Sequence, residues 1–202
     1  LICPRIGARL AGRYAPATLM AAGLTLVGCG NLLSAWAVHA GGYLNFALAI
    51  AVTGAGAGLL NGDTQKNIMA CVPRERTGMA SGMSTTMRFS AIMLAIGVFG
   101  ALLASHTQQL LQGSLHAVPG HWLEQAPEIA SRVVAGDMQG AMAGLPPDAQ
   151  ALVEPLARQA FVGGFGLVLT VAGMLALLGA LVVGRLMRNP LPQASGLTLK
   201  LQ

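Results

Sequence analysis

The chain has 202 residues, of which 54% are hydrophobic and only 9% charged, with a mean hydropathy of +0.63. Soluble domains carry about 25% charged residues, so this chain lacks the polar surface that keeps a globular domain in water, and a bilayer suits it as solvent. A net charge of +5 would fit nucleic acid if the basic residues clustered on one face among aromatics; they lie instead between apolar runs, which excludes that partner.

The segment 1–16 holds Arg5, Arg9 and Arg13 and no acid, and reads as a cytoplasmic basic loop. Signal peptides also open on basic residues, but their apolar cores run to about 15 residues at most. The uncharged run 17–38 is longer, so it is read as a first transmembrane helix, with Pro16 suited to its first turn. His39 to Gly42 forms a tight turn. A second span covers 43–72, and its Gly54, Gly58 and Gly62, in line with Ala47 and Ala51, make a row of small residues that lets a neighbouring helix approach closely in lipid. The glycine-rich text 54–58 lacks the preceding strand that a nucleotide-binding loop needs.

From Asn61 the second helix turns polar and ends in a charged hinge, 73–78, where Pro73 and Gly78 stop one helix and start the next. The third span, 79–105, carries Arg88 as its only charge. The segment 106–158 contains five prolines and is too long for a bare turn, so it is expected to form an ordered extracytoplasmic cap, with short helices over 123–134 and 148–159. A fourth span covers 160–184, and a basic tail 185–202 follows. The fold class is therefore all-α, an integral membrane bundle of four transmembrane helices. Arginine and lysine accumulate in cytoplasmic loops. The N-terminal segment and the tail each carry +3 and the long loop −3, which places both termini of this segment and the hinge in the cytoplasm.

Depth singles out the candidate site. Asp63 lies about ten residues before Pro73 and Arg88 about ten after Gly78, so each is roughly 15 Å from the hinge and close to the bilayer midplane. Intramembrane charges pair with each other or line wet cavities. One reading makes Asp63 a proton- or cation-binding carboxylate partnered by Arg88, with Lys66 and Asn67 one turn along. The other places Asp63 and Lys66 in a cytoplasmic extension of the helix and leaves Arg88 to snorkel.

Other chemistry finds little support in the sequence. Cys3, Cys29 and Cys71 are odd in number and too dispersed for a CxxC site. His116, His121, Glu124 and Glu128 lack HExxH or cysteine spacing, so no metal and no cofactor is expected. Neither a Gly-x-Ser-x-Gly elbow nor a GxxxxGK loop is present, and no enzymatic activity is expected.

The stretch Ala70-Cys71-Val72-Pro73-Arg74-Glu75-Arg76-Thr77-Gly78-Met79-Ala80-Ser81-Gly82, continued to Arg88, resembles the V-P-x-E-R-x-G-x-A-S-G-x-x-N-x-x-R loop and helix of the EmrB/QacA family. These are the fourteen-helix drug:proton antiporters of the major facilitator superfamily. Pro4-Arg5-Ile6-Gly7-Ala8-Arg9 is similar to the superfamily's cytoplasmic D-R-x-G-x-R loop, and Ala160-Phe161-Val162 with Gly164-Phe165 resembles the opening of the family's last helix. Position 4 departs from the pattern with Pro for Asp, and position 85 with Thr for Asn. The resemblance implies that Arg5, Gly7, Arg9, Pro73, Glu75, Arg76 and Gly78 form cytoplasmic loop motifs and that the four spans are the last four of fourteen, in the C-terminal bundle. It implies alternating access, with protons exchanged for a small amphipathic or hydrophobic substrate. The remaining N-terminal helices of the same transporter complete the cavity, which Met69, Met83, Met87 and Phe89 partly line. The alternative is a small four-span membrane scaffold or assembly subunit without transport activity.

Overall fold

The computed structural model describes residues 16–40, 42–70, 72–116 and 124–186, with the side chains of 16–17, 61–70 and 74 excepted. The expected basic loop motif at Arg5, Gly7 and Arg9 and most of the tail lie outside the described residues. Within them the architecture is helical: α1 (Pro16–Ala40), α2 (Tyr43–Ala70), a single 3-10 turn (Arg74–Arg76), α3 (Thr77–Leu115), α4 (Ala126–Val134), α5 (Met138–Met142) and α6 (Pro147–Leu186). Four of these, α1, α2, α3 and α6, are long and apolar enough to cross a membrane, which makes this a multi-pass membrane protein.

Helix α1 is the hub of the bundle, packing on α2 along one side and on α6 along another. Glycine makes both contacts close. A Cβ placed on Gly56 of α2 would come 2.8 Å from the Gly23 carbonyl oxygen and 2.8 Å from the Val27 nitrogen of α1, and one on Gly28 would come 3.0 Å from the Gly173 carbonyl oxygen of α6. Backbone thus lies almost on backbone, as small residues allow in lipid. The row expected to do this on α2 was Ala47, Ala51, Gly54, Gly58 and Gly62. The observed contact row is Ala49, Thr53, Gly56 and Leu60, while Gly54 faces open space. At about 100° per residue, the two-residue offset turns the contact face to nearly the opposite side of the helix.

The segment expected as an extracytoplasmic loop over 106–158 is largely helix. α3 continues ten residues past Ser105 to Leu115, and α6 begins at Pro147, so the stretch expected as a separate short helix over 148–159 is the first part of the helix that holds the fourth span. The physical reason is continuity: no proline interrupts 79–115, and extending a helix already nucleated is far easier than starting one. Pro155 costs α6 one internal hydrogen bond, and the helix runs through it. At 1.5 Å per residue α3 and α6 are each roughly 60 Å long, twice the hydrocarbon thickness, so both stand out of the bilayer.

Their projecting ends carry α4 and α5, and here lies the one extended apolar core among the described residues. Leu111 and Leu115 of α3, Ile129 and Val133 of α4, Met142 of α5 and Val153 of α6 all belong to it. Gly136 ends α4 in a left-handed conformation, φ +85°. Its N–H donates to the Val133 carbonyl at 3.1 Å and that of Asp137 to the Arg132 carbonyl at 2.9 Å, the pairing of a Schellman cap. The Asp137 carboxylate then accepts from the Gly140 N–H at 2.8 Å to start α5. Gly136→Ala is expected to lower the cap's stability by about 1–2 kcal/mol, the cost of forcing a Cβ into that region. Faster amide hydrogen exchange across α4 and α5 in the variant would register it.

Candidate functional site

The hinge is a compact turn. The Arg76 N–H donates to the Pro73 carbonyl at 3.0 Å, closing the 3-10 turn between α2 and α3. Pro73, with φ −56° and ψ 146°, precedes the turn, and Arg76 caps α3 with no side-chain hydrogen bond. Pro73, Glu75, Arg76 and Gly78 are exposed, and neither Glu75 nor Arg76 joins an ion pair among the described residues. The motif therefore presents its charges at the end of the bundle opposite the cap.

Arg88 lies eleven residues into α3, about 16 Å along the helix from its start. It is exposed, and its guanidinium carbon sits 5.8 Å from the centroid of the Phe89 ring, within cation–π range. The other polar candidates, Asp63, Lys66 and Asn67, lie in the last turns of α2. Their side chains, and with them the expected meeting of Asp63 with Arg88, lie outside the described residues, as does the side chain of Met69.

The surroundings of Arg88 are unusual for a packed helix. Met83 and Met87 are 69% and 70% exposed, and Phe89, Met93, Leu94 and Ile96 are exposed as well. No residue of α3 is buried before Thr107. Among the described residues α3 makes only slight contact with α2 and reaches α6 near its cap end. There Leu103 and Thr107 lie over Gly164 and Leu110 over Gly163. The cavity wall expected from Met83, Met87 and Phe89 is thus an open apolar surface around a single cation.

At the cap end of the bundle α1 meets α6 in a contact that the sequence-based expectations lack. The imidazole of His39, in the last turn of α1, lies over Gly166 of α6, and its Nδ1 is 2.9 Å from the Ala35 carbonyl oxygen. Three glycines within four residues, Gly163, Gly164 and Gly166, were the available signal. Comparison of the chain with protein-family models, curated proteins and solved structures gives no match.

Proposed function

We propose that the chain is the C-terminal four-helix part of a proton-coupled multidrug-type efflux transporter, an antiporter of the EmrB/QacA type in the major facilitator superfamily. It sits in the cell (inner) membrane with both termini of this segment cytoplasmic and works by alternating access. The observation that carries this reading is Arg88, a guanidinium set deep in an apolar helix with an aromatic ring as its described neighbour. A charge at the bilayer centre costs at least about 2.5–3.5 kcal/mol when left to lipid, so it is retained where a partner acid or a water-filled cavity receives it.

Alternating access supplies that surrounding. Two helix bundles rock around a central wet site, and the open face of α3 around Arg88 is where helices of the other bundle and a substrate would meet this one. Methionines on that face suit ligands of varied shape. A scaffold subunit would also use an open apolar helix to bind a partner, but it has no need of a cation at midspan.

The test is efflux by the full-length protein, comparing wild type with Arg88→Ala and Asp63→Asn. Both variants are expected to lose at least about tenfold in drug efflux, the scale of one charge-assisted interaction, while still reaching the membrane. Wild-type efflux with unchanged pH dependence in both would reduce these residues to scaffolding. Reagent labelling that found the cap segment on the cytosolic side would overturn the topology.

A further inference from the structure

At the base of the cap, α6 presents a strip of small positions, Ala160, Gly163 and Gly166, and neighbours lie on it from two sides. The His39 ring covers Gly166, and Leu110 of α3 covers Gly163, where an added Cβ would come 2.7 Å from the leucine Cδ1. α1 and α3 pack on α6 rather than on each other. Between them lies a cleft of about 410 Å³, floored on α6 by Gln159, Ala160, Val162 and Gly163, within the roughly 300–1,000 Å³ range of small-molecule sites.

The lining defines what fits. Val38, Leu110 and Val162 give it an apolar side, and His39, Ser114 and Gln159 a polar one. The Ala35 carbonyl can only accept, so the His39 Nδ1 carries the hydrogen of their 2.9 Å bond, which leaves Nε2 for a bound group. The Ser114 hydroxyl donates to the Leu110 carbonyl at 3.0 Å, which leaves its lone pairs. The Gln159 carboxamide offers both a donor and an acceptor. Among the described residues no carboxylate lines the cleft to hold a cation, and no arginine or lysine to hold an anion.

We propose that this cleft binds an uncharged amphipathic molecule with a hydroxyl head and an apolar body, the head meeting His39, Ser114 and Gln159 and the body lying against Val38, Leu110 and Val162. Such a site requires no transport and stands apart from the open face of α3. Two sources share the chemistry, a free alcohol and the hydroxyl head of a neutral membrane lipid.

The experiment uses the full chain in phosphatidylcholine vesicles, with and without diacylglycerol, labelled by a diazirine-bearing octanol and mapped by mass spectrometry. The expected result is saturable labelling at 110–114 and 159–163, competed by octanol but not by octylammonium or octanoate. Val162→Trp, which fills the cleft, is expected to abolish it. Gln159→Leu, an exposed position that folding tolerates, is expected to raise the half-saturating concentration roughly tenfold, the scale of one net hydrogen bond. Loss of labelling in the diacylglycerol vesicles alone would identify a lipid as the occupant, and its persistence there a free alcohol; either supports the site. Unsaturable labelling spread over the exposed face of α3, or equal competition by the charged analogues, would overturn it.

Discussion

Gly56→Leu is expected to destabilise the bundle by about 1–3 kcal/mol or more, the cost of overpacking a filled contact, whereas Gly54→Leu two residues earlier is expected to be neutral or slightly stabilising. Both glycines stand in the middle of α2, and both substitutions add the same side chain to the same apolar helix. At position 56 the new Cβ meets the Gly23 carbonyl oxygen, the Val27 nitrogen and the Leu26 Cβ, all within 2.9 Å. Two of these are backbone atoms and the third is fixed to backbone, so none can swing aside; only separation of α1 from α2 relieves the clash. That separation would forfeit the dispersion contacts of the whole interface, which in lipid have no hydrophobic gain to offset their loss. At position 54 nothing lies within 4 Å of the new Cβ, and the substitution gains about 0.7 kcal/mol of helix propensity. Unfolding midpoints in mixed detergent titrations measure the difference, and equal midpoints for the two variants would remove the α1–α2 contact as described.

That pair also marks where sequence reading stops. The long uncharged runs were enough to place the spans, because length and apolarity are all that crossing a bilayer demands. The hinge was legible too, since Pro73 and the charges around it stand out between apolar runs. Which side of α2 faces α1 was not legible. A helix in lipid is apolar all round, so its sequence carries no polar face to point away from the contact, and two glycine rows in one helix look alike. The short α4 is the opposite case. It lies outside the membrane, buries Ala126, Ile129, Ala130 and Val133 and exposes Glu128 and Arg132, and the helix expected over 123–134 overlaps it closely. The continuation of α3 and α6 into the cap escaped notice because polar residues such as His106, Gln108 and Gln109 mark the end of an apolar run, which is the edge of the bilayer and not the end of the helix. Arg88 was legible from its place in the run, but its surroundings were not, since they depend on which helices come near α3.

The same difference of solvent sets the second large effect. Leu111 is 0% exposed, at the centre of the cap core, and Leu152, on the projecting part of α6, is 56% exposed. Leu111→Ala is expected to cost about 2–5 kcal/mol, combining lost transfer free energy with the cavity left behind. Leu152→Ala is expected to stay within about 0.5 kcal/mol, as exposed substitutions usually do. The cap is where the leucine penalty should be felt in full, because its alternative to burial is water. In the spans the alternative is lipid, as apolar as the leucine itself. The loss should also stay local. α4 and α5 are held by the Leu111 cluster and by the Gln150 amide, which donates to the Met142 carbonyl at 3.1 Å and to the Leu145 carbonyl at 2.8 Å, whereas the glycine contacts of α1 with α2 and α6 involve none of these residues. Hydrogen exchange should therefore accelerate over 126–150 in Leu111→Ala and remain slow in α1 and α2. Uniform acceleration through all four spans would mean that the cap and the membrane bundle unfold as one unit, with the projecting ends of α3 and α6 carrying the coupling between them.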